Sequence, residues 1–406
     1  VKKSNNFKLH KLVNNRIPSE ILGCIRKWGP ISRARLAENC GVSRPAITRT
    51  VSALLQQELL VETALSDSKG PRRKDGLVLN PEAGYCIAIA YTVEGLNVIA
   101  MDTSYTVVAE TSRWVDLHPM TEEERLQTIF ESVDDILAQT RDLKGHCLGL
   151  AVADPGVIDH EAGIAKWSSI LQHWHNVPIV DIFQKRFQLP VLLLNGASTY
   201  IRAIDRLEMR EQSENMFFVQ FGAGIGCCFK LGGIYISGNA MLAGEFGHWK
   251  VTDEPVQCRC GGVGCLEAVA ALPAIANNAR AALQHGSESV LADLESFTGY
   301  DVLDAAAQGD RLSFRIVCEA FDQLGQAIGG LINTLAPEVV LIEEVVGRAG
   351  PDAVASLFQS IKRNILPSHS EHLSLRISTV ESQLARIACL GAAVTTLDTC
   401  FEYDSN

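Results

Sequence analysis

The stretch that most constrains this chain is Gly244-Glu245-Phe246-Gly247-His248, followed by Cys258-Arg259-Cys260-Gly261-Gly262-Val263-Gly264-Cys265-Leu266-Glu267. Its glycines rule out a regular helix or strand across the loop and let the backbone wrap tightly. Its side chains offer one imidazole and three thiols, the four N/S ligands of a closed tetrahedral zinc site. A closed site has no open position for water, so an ion held there is structural and not hydrolytic. The plainer alternative is three small buried thiols beside a hydrogen-bonded histidine, and spacing alone leaves both readings open. Most of the other cysteines (Cys86, Cys147, Cys227, Cys228, Cys318 and Cys389) lie inside apolar segments and read as small core residues.

Charge divides the chain at about residue 80. Residues 1–80 hold 15 Lys/Arg against 6 Asp/Glu, a net of +9, whereas the remainder holds 21 against 41, a net of −20. A basic head on an acidic body points to a polyanionic partner for the head alone, or to a merely solvated basic terminus. The residue pattern favours the partner. Ile21, Leu22 and Ile25 have helical spacing over 19–29, and Gly29-Pro30 ends that helix. Ser32 caps a second helix running to Asn39, and Gly41 permits a tight turn. Ser43 caps a third helix with Pro45 in its first turn. There Ile47, Val51, Leu54 and Leu55 form an apolar stripe, leaving Pro45, Arg49, Ser52 and Gln56 on the far face with Thr48 at its edge. A short-chained, polar, basic face suits a DNA major groove. With Ser43 and Arg44 at the leading end, where base-edge or phosphate contacts arise, it forms the expected reading surface. Leu59-Leu60-Val61 and Leu77-Val78-Leu79 read as the two strands of a wing. Lys69, Arg72 and Arg73 at its tip either enter a minor groove or touch phosphates only. Residues 1–80 are thus expected to be a winged helix-turn-helix binding a double-stranded operator.

Beyond residue 80 the pattern becomes mixed. Strand-like runs recur at Tyr85–Tyr91, Leu96–Asp102, Val107–Thr111, Cys147–Ala153, Pro190–Asn195, Met216–Phe221, Ile225–Phe229 and Val339–Ile342. Helical stretches fall at about 122–140, 179–187, 198–210, 268–284, 302–308 and 312–335. This is an α/β chain with central sheets, and strand-rich halves on either side of residue 200 predict two lobes with a ligand cleft. No apolar run approaches the roughly 20 residues needed to span a bilayer, and the basic start carries no apolar leader. A cytoplasmic protein without membrane insertion is expected.

The Glu-x-Gly-His of the 244–267 stretch, with its Cys-x-Cys-Gly-x-x-Gly-Cys-x-Glu, is similar to the signature of the ROK family (repressors, open reading frames and sugar kinases). The resemblance extends to Pro155-Gly156-Val157-Ile158-Asp159, to Asn333-x-x-x-Pro337-Glu338, and to the head and wing of the Mlc/NagC-like repressor branch. It implies an actin/hexokinase-like (ribonuclease H-like) fold with an N-terminal lobe at 81–198. The C-terminal lobe at 199–406 would carry the zinc loop, its last helix packing back on the N-terminal lobe. It also implies one structural Zn2+ per chain on His248, Cys258, Cys260 and Cys265, and sugar hydroxyls held by Asn195, Glu245, His248 and Glu267. His248 would give one ring nitrogen to zinc and the other to the sugar. A homodimer or higher oligomer is implied as well, and two linked heads reading two half-sites would gain affinity.

Three departures from the family pattern concern catalysis. Gly196 stands where the kinases carry the aspartate that acts as general base. Ala90-Tyr91-Thr92-Val93-Glu94-Gly95 replaces a first phosphate loop of the Asp-x-Gly-Gly-Thr type. Glu343-Glu344 replaces a Gly-Gly turn on the nucleotide side, where carboxylates repel phosphates. Gly222-Ala223-Gly224-Ile225-Gly226 is either a partial second phosphate loop or a tight turn between strands. The expected function is a repressor of carbohydrate genes, controlled by a sugar or sugar phosphate in a sensor without kinase activity. A repressor governed by a protein partner is the alternative, and the departures argue against a sugar kinase.

Overall fold

The structure, a computed structural model, describes residues 12–64, 76–92, 95–168, 171–209, 213–236, 238, 243–380 and 384–402. It forms two compact units, one of Val1–Ala203 with Gln383–Asn406 and one of Ile204–Ser382.

The first unit opens with helices α1 (Arg16–Trp28), α2 (Arg33–Cys40) and α3 (Arg44–Gln56), then an antiparallel pair, β1 (Leu60–Thr63) and β2 (Gly76–Leu79). Ile21, Leu22, Ile25, Leu36, Ile47, Val51 and Leu54 meet in one core under the strand residues Leu60, Leu77 and Leu79. Ser32 caps α2 through the Arg35 N–H, and Gly41 turns the chain with φ 63°. Ser43 stands at the N-cap of α3 but makes no side-chain cap bond, contrary to the sequence reading. A cap side chain accepts from the second or third helical N–H, and Pro45 removes the first of these donors.

A five-stranded sheet follows. It is built from β3 (Tyr85–Tyr91), β4 (Gly95–Asp102), β5 (Val107–Trp114), β6 (Cys147–Asp154) and β10 (Val191–Asn195), in the order β10-β6-β3-β4-β5. Helix α4 (Glu122–Gln139) lies between β5 and β6 in sequence. Between β6 and β10 come a small antiparallel sheet, β7 (Val157–Asp159), β8 (Ile164–Trp167) and β9 (His175–Val177), and helix α5 (Ile179–Phe187). Helix α6 (Gly196–Ile204) starts directly after β10. Every residue of β3 and β4 is buried, as strands covered on both faces require. Ile87, Ile89 and Tyr91 pack with Ile129, Val133 and Ile136 of α4 and Phe183 of α5.

The second unit repeats this order. Its sheet comprises β11 (Met216–Phe221), β12 (Ile225–Leu231), β13 (Ile234–Ile236), β14 (Val339–Ile342) and β15 (Ser374–Ile377), arranged β13-β12-β11-β14-β15. In both sheets a three-stranded antiparallel meander is extended by two parallel strands on the side of its first strand. Helices α7 (Leu266–Ala270), α8 (Leu272–Gln284), α9 (Gly299–Ala307), α10 (Arg311–Leu335), α11 (Pro351–Arg363) and α12 (Pro367–Ser370) complete it. The stretch read from sequence as one helix at 268–284 is α7 and α8, broken at Ala271, because Pro273 cannot continue an upstream helix.

The last helix, α13 (Leu384–Phe401), belongs to the first unit. It packs on the face of β3 that carries Cys86, Ala88 and Ala90, with the Cys389 thiol donating to the Ala88 carbonyl. Its end inserts Phe401 into the core of the helical head. One turn earlier Asp398, only 7% exposed, accepts from Arg26 of α1 and from the Tyr105 hydroxyl at 2.6 Å, and pairs with Arg202 of α6 at 3.6 Å.

A methyl group at Gly391 of α13 would lie 1.9 Å from the Thr199 carbonyl oxygen of α6. Gly391→Ala is therefore expected to lower stability by about 1–3 kcal/mol through overpacking. Asp398→Asn should cost a similar ~1–3 kcal/mol by weakening hydrogen bonds to charged groups. Denaturant melts of the two variants check both values.

Candidate metal centre and nucleic-acid interface

The loop between β13 and α7 brings the ligand set together. The Nδ1 of His248 and the Sγ atoms of Cys258, Cys260 and Cys265 lie within 4.8 Å of one another. Cys258 Sγ is 3.7 Å from His248 Nδ1, and Cys260 Sγ is 3.8 Å from Cys265 Sγ. A tetrahedron with metal–sulfur bonds of about 2.3 Å has edges of about 3.8 Å, so these two edges already have the length that a closed N/S site requires. Glycine makes this possible. Gly261 and Gly264 adopt φ values of 87° and 75°, and a side chain on Gly264 would sit 2.1 Å from the Thr252 carbonyl oxygen. The Gly262 N–H points at Cys260 Sγ and holds that thiol below its ordinary pKa, favouring the thiolate that a metal takes. His248 lies in a short 3-10 turn, and its Nε2 is 3.7 Å from a carboxylate oxygen of Glu245. One ring nitrogen thus faces the thiols and the other faces Glu245.

Glu267, the third sugar candidate of this unit, is buried and already engaged. Arg259, between two of the cysteines, clamps it with bonds of 2.6 and 2.9 Å, and the Ile225 N–H adds a third at 3.3 Å. This pair sits on Gly224, where a side chain would meet Glu267 Oε2 at 2.6 Å and Arg259 Nη2 at 2.7 Å. The Gly222–Gly226 segment is therefore a tight turn from β11 to β12, closed by the Gly222 N–H on the Gly224 carbonyl. Glu343 is buried too, and its carboxylate accepts from the Phe221 N–H at 2.6 Å. A carboxylate thus fills the end of β11.

In the first unit, Asn195 ends β10 and caps α6. Its amide donates to the Gly156 carbonyl and accepts from the Ser198 N–H. Gly196 begins the helix and has the Asp154 carbonyl 3.3 Å from where its side chain would start. Asp154 itself was not singled out from sequence. It is fully buried and accepts from Tyr91, Trp174 and the Gly156 N–H at 2.6–2.8 Å. Burial raises its pKa against those bonds. The Tyr91 hydroxyl, in the segment that replaces the first phosphate loop, is thus committed to a structural bond. A local signal existed only in part: Asp-Pro-Gly marks a turn, but the tyrosine and tryptophan partners lie 63 and 20 residues away.

On the head, Ser43, Arg44, Pro45, Thr48, Arg49 and Ser52 are all exposed on one side of α3. The Thr48 and Ser52 hydroxyls bond back to the Arg44 and Thr48 carbonyls, which keeps their methyl and methylene groups outward. Lys69, Arg72 and Arg73 of the wing tip lie outside the described residues.

A sequence model of the ROK family matches residues 86–398, and one of the MarR family matches residues 19–69. The chain is 23% identical over 376 residues to a xylose repressor of Caldicellulosiruptor bescii, across 92% of this chain and 94% of that protein. It is 31% identical over 223 residues to a glucokinase of Thermotoga maritima, across 54% of this chain and 70% of that enzyme. A crystal structure of a ROK family transcriptional regulator, a homolog of E. coli Mlc, superposes with a TM-score of 0.80 at 24% identity, covering 95% of this chain and 96% of that one.

The loop geometry yields a direct test. Gly264→Ala places a methyl group against the Thr252 carbonyl at a positive φ, and should destabilise the second unit by about 2–3 kcal/mol. The same substitution at Gly232, also at positive φ but with open space around it, should cost less. Thermal melts of the two variants side by side separate the collision from the backbone strain.

Proposed function

Since the chain belongs to the ROK family, we propose that it is a DNA-binding transcription repressor of carbohydrate genes, acting as a homodimer or higher oligomer. The observation that carries this reading is a helix-turn-helix head with an exposed basic face on α3, joined to a ROK unit whose nucleotide side is closed. Glu343 caps the end of β11, Gly222–Gly226 is a strand turn filled by Arg259 and Glu267, and Gly196 offers no base. General-base loss alone typically costs about 10²–10⁴ in rate, and loss of phosphate positioning compounds it. Sugar phosphorylation with ATP is therefore expected to be undetectable.

The metal of the His248, Cys258, Cys260 and Cys265 set is Zn2+, one per chain. Four filled positions leave it structural, and its thiolates make its binding free energy part of the folding free energy. The effector is a sugar or sugar derivative whose hydroxyls are taken by Glu245, His248 and Glu267. Carboxylate and imidazole groups are suited to vicinal hydroxyls. Zinc orients the His248 ring, so metal and sugar recognition share one residue.

Elemental analysis should return one zinc per chain, and Cys258→Ser should both lose it and lower the melting temperature. In fluorescence anisotropy with a duplex selected from a random pool, Arg49→Ala should weaken binding by roughly 1–3 kcal/mol and relax sequence preference. A thermal-shift screen of D-xylose, D-glucose, N-acetyl-D-glucosamine and their phosphates should find at least one stabiliser that changes DNA affinity. If none does, control by a sugar is wrong; if the protein consumes ATP with any of them, so is the sensor without catalysis.

A further inference from the structure

Two of the twelve cysteines pack at the edge of the head's core without being enclosed by it. Cys24 lies on the third turn of α1 and Cys40 is the last residue of α2. Their sulfurs are 2.8 Å apart, and neither residue is fully buried. Both line an open cavity of about 420 Å³ on the head, with Arg16, Glu20, Lys27 and Trp28 around them. The approach is too close for two thiolates bridged by a metal, whose sulfur–sulfur edge is about 3.8 Å. Among the described residues no third ligand of the His, Cys, Asp or Glu type completes a metal set around them. Instead the sulfurs need to close by only about 0.8 Å to reach the disulfide bond length.

We infer that Cys24 and Cys40 are a redox-modification site, at which a hydroperoxide joins α1 to α2 by a disulfide and lowers the affinity of the head for DNA. The two thiols have different roles. Cys40 donates its proton to Cys24 Sγ, and burial, followed by that bond, pushes its pKa up to about 12. Cys40 therefore keeps its proton, and Cys24, the sulfur that accepts that bond at the rim of the cavity, is the one that meets the oxidant. Cys24 takes one oxygen from the hydroperoxide to give a sulfenic acid, and the alcohol or water leaves. Cys40 sulfur then attacks the Cys24 sulfur, the S–O bond breaks, and the Cys40 proton departs with the hydroxyl as water. A thiol reductant reverses the reaction by exchange.

The consequence for DNA follows from where Cys40 sits. The next residue is Gly41, whose left-handed turn sets the direction of α3. Drawing the end of α2 toward α1 re-aims that turn, and α3 carries the exposed reading face. This effect rests on the DNA-binding reading of the head, whereas formation of the bond does not.

The test uses the full-length, zinc-loaded chain treated with hydrogen peroxide at low molar excess. The intact mass should fall by about 2 Da, and peptide mapping should join the α1 and α2 peptides. Dithiothreitol should restore both, and Cys24→Ser and Cys40→Ser should each abolish the link. In anisotropy with a duplex selected by the reduced protein, the oxidised chain should bind about tenfold more weakly, equivalent to one lost aligned contact. The double variant Cys24→Ser/Cys40→Ser should bind equally well before and after peroxide. Absence of the Cys24–Cys40 peptide, or its appearance without loss of affinity, would overturn the proposal. Failure of the reduced chain to bind DNA would instead overturn the DNA-binding reading.

Discussion

One carboxylate near the end of the chain, Asp398, ties together three segments far apart in sequence. It pairs with Arg26 of the helical head, with Tyr105 in the turn from β4 to β5, and with Arg202 of α6. Its burial gives these bonds their worth, because a charge removed from water is tolerated only when its partners are in place. Asp398 reaches this position because α13 lies close against β3, and α13 lies close because the facing residues are small. Cys86, Ala88 and Ala90 on the strand meet Cys389, Ala392 and Ala393 on the helix, and Gly391 leaves room for the α6 backbone. The head therefore shares a core residue, Phe401, and an ion network with the sheet that follows it.

The second unit turns on a different constraint, the positive φ of the cysteine loop. Once Gly261 and Gly264 fold the loop back, the three thiols and His248 converge, and Arg259 is carried onto Glu267. The same Glu267 reaches the Ile225 N–H at the start of β12, so the ligand loop and the Gly222–Gly226 turn meet on one half-buried salt bridge. Glu343 closes the neighbouring strand end in the same way, with a carboxylate on a backbone N–H. Both ends of this turn are thus held by a carboxylate on a backbone N–H.

Much of this was legible in the residues. The α/β class, the winged helix-turn-helix and the ROK resemblance were read from apolar periodicity, from Gly/Pro punctuation and from the cysteine loop, and the family match bears them out. Those signals are local: a cap, a turn or a metal loop is written within a few residues. Helix 351–363 was not read, and the last helix, 384–401, came only from the resemblance, without bounds. In α13 apolar residues surround the helix, so no 3.6-residue stripe marks it, because the sheet covers one side and α6 and the head cover others. The Ser43 cap bond did not form, although Pro45, two residues on, already marks the loss of one of its donors in the sequence.

By itself, then, the sequence determined most of the helices and strands, where the glycines turn the chain, and which four side chains offer a ligand set. Only the tertiary structure decided which polar groups are free and which are committed. Arg259 on Glu267, the Ser198 N–H on Asn195 and the Phe221 N–H on Glu343 are bonds that appear only once the chain is folded. Asp154 with Tyr91 and Trp174, Asp398 with Arg26 and Tyr105, and Cys24 with Cys40 have no mark in sequence at all. The physical reason is that a hydrogen bond or a sulfur contact depends on distances of a few tenths of an ångström. Such distances are set only when helices and strands pack, however far apart their residues lie along the chain.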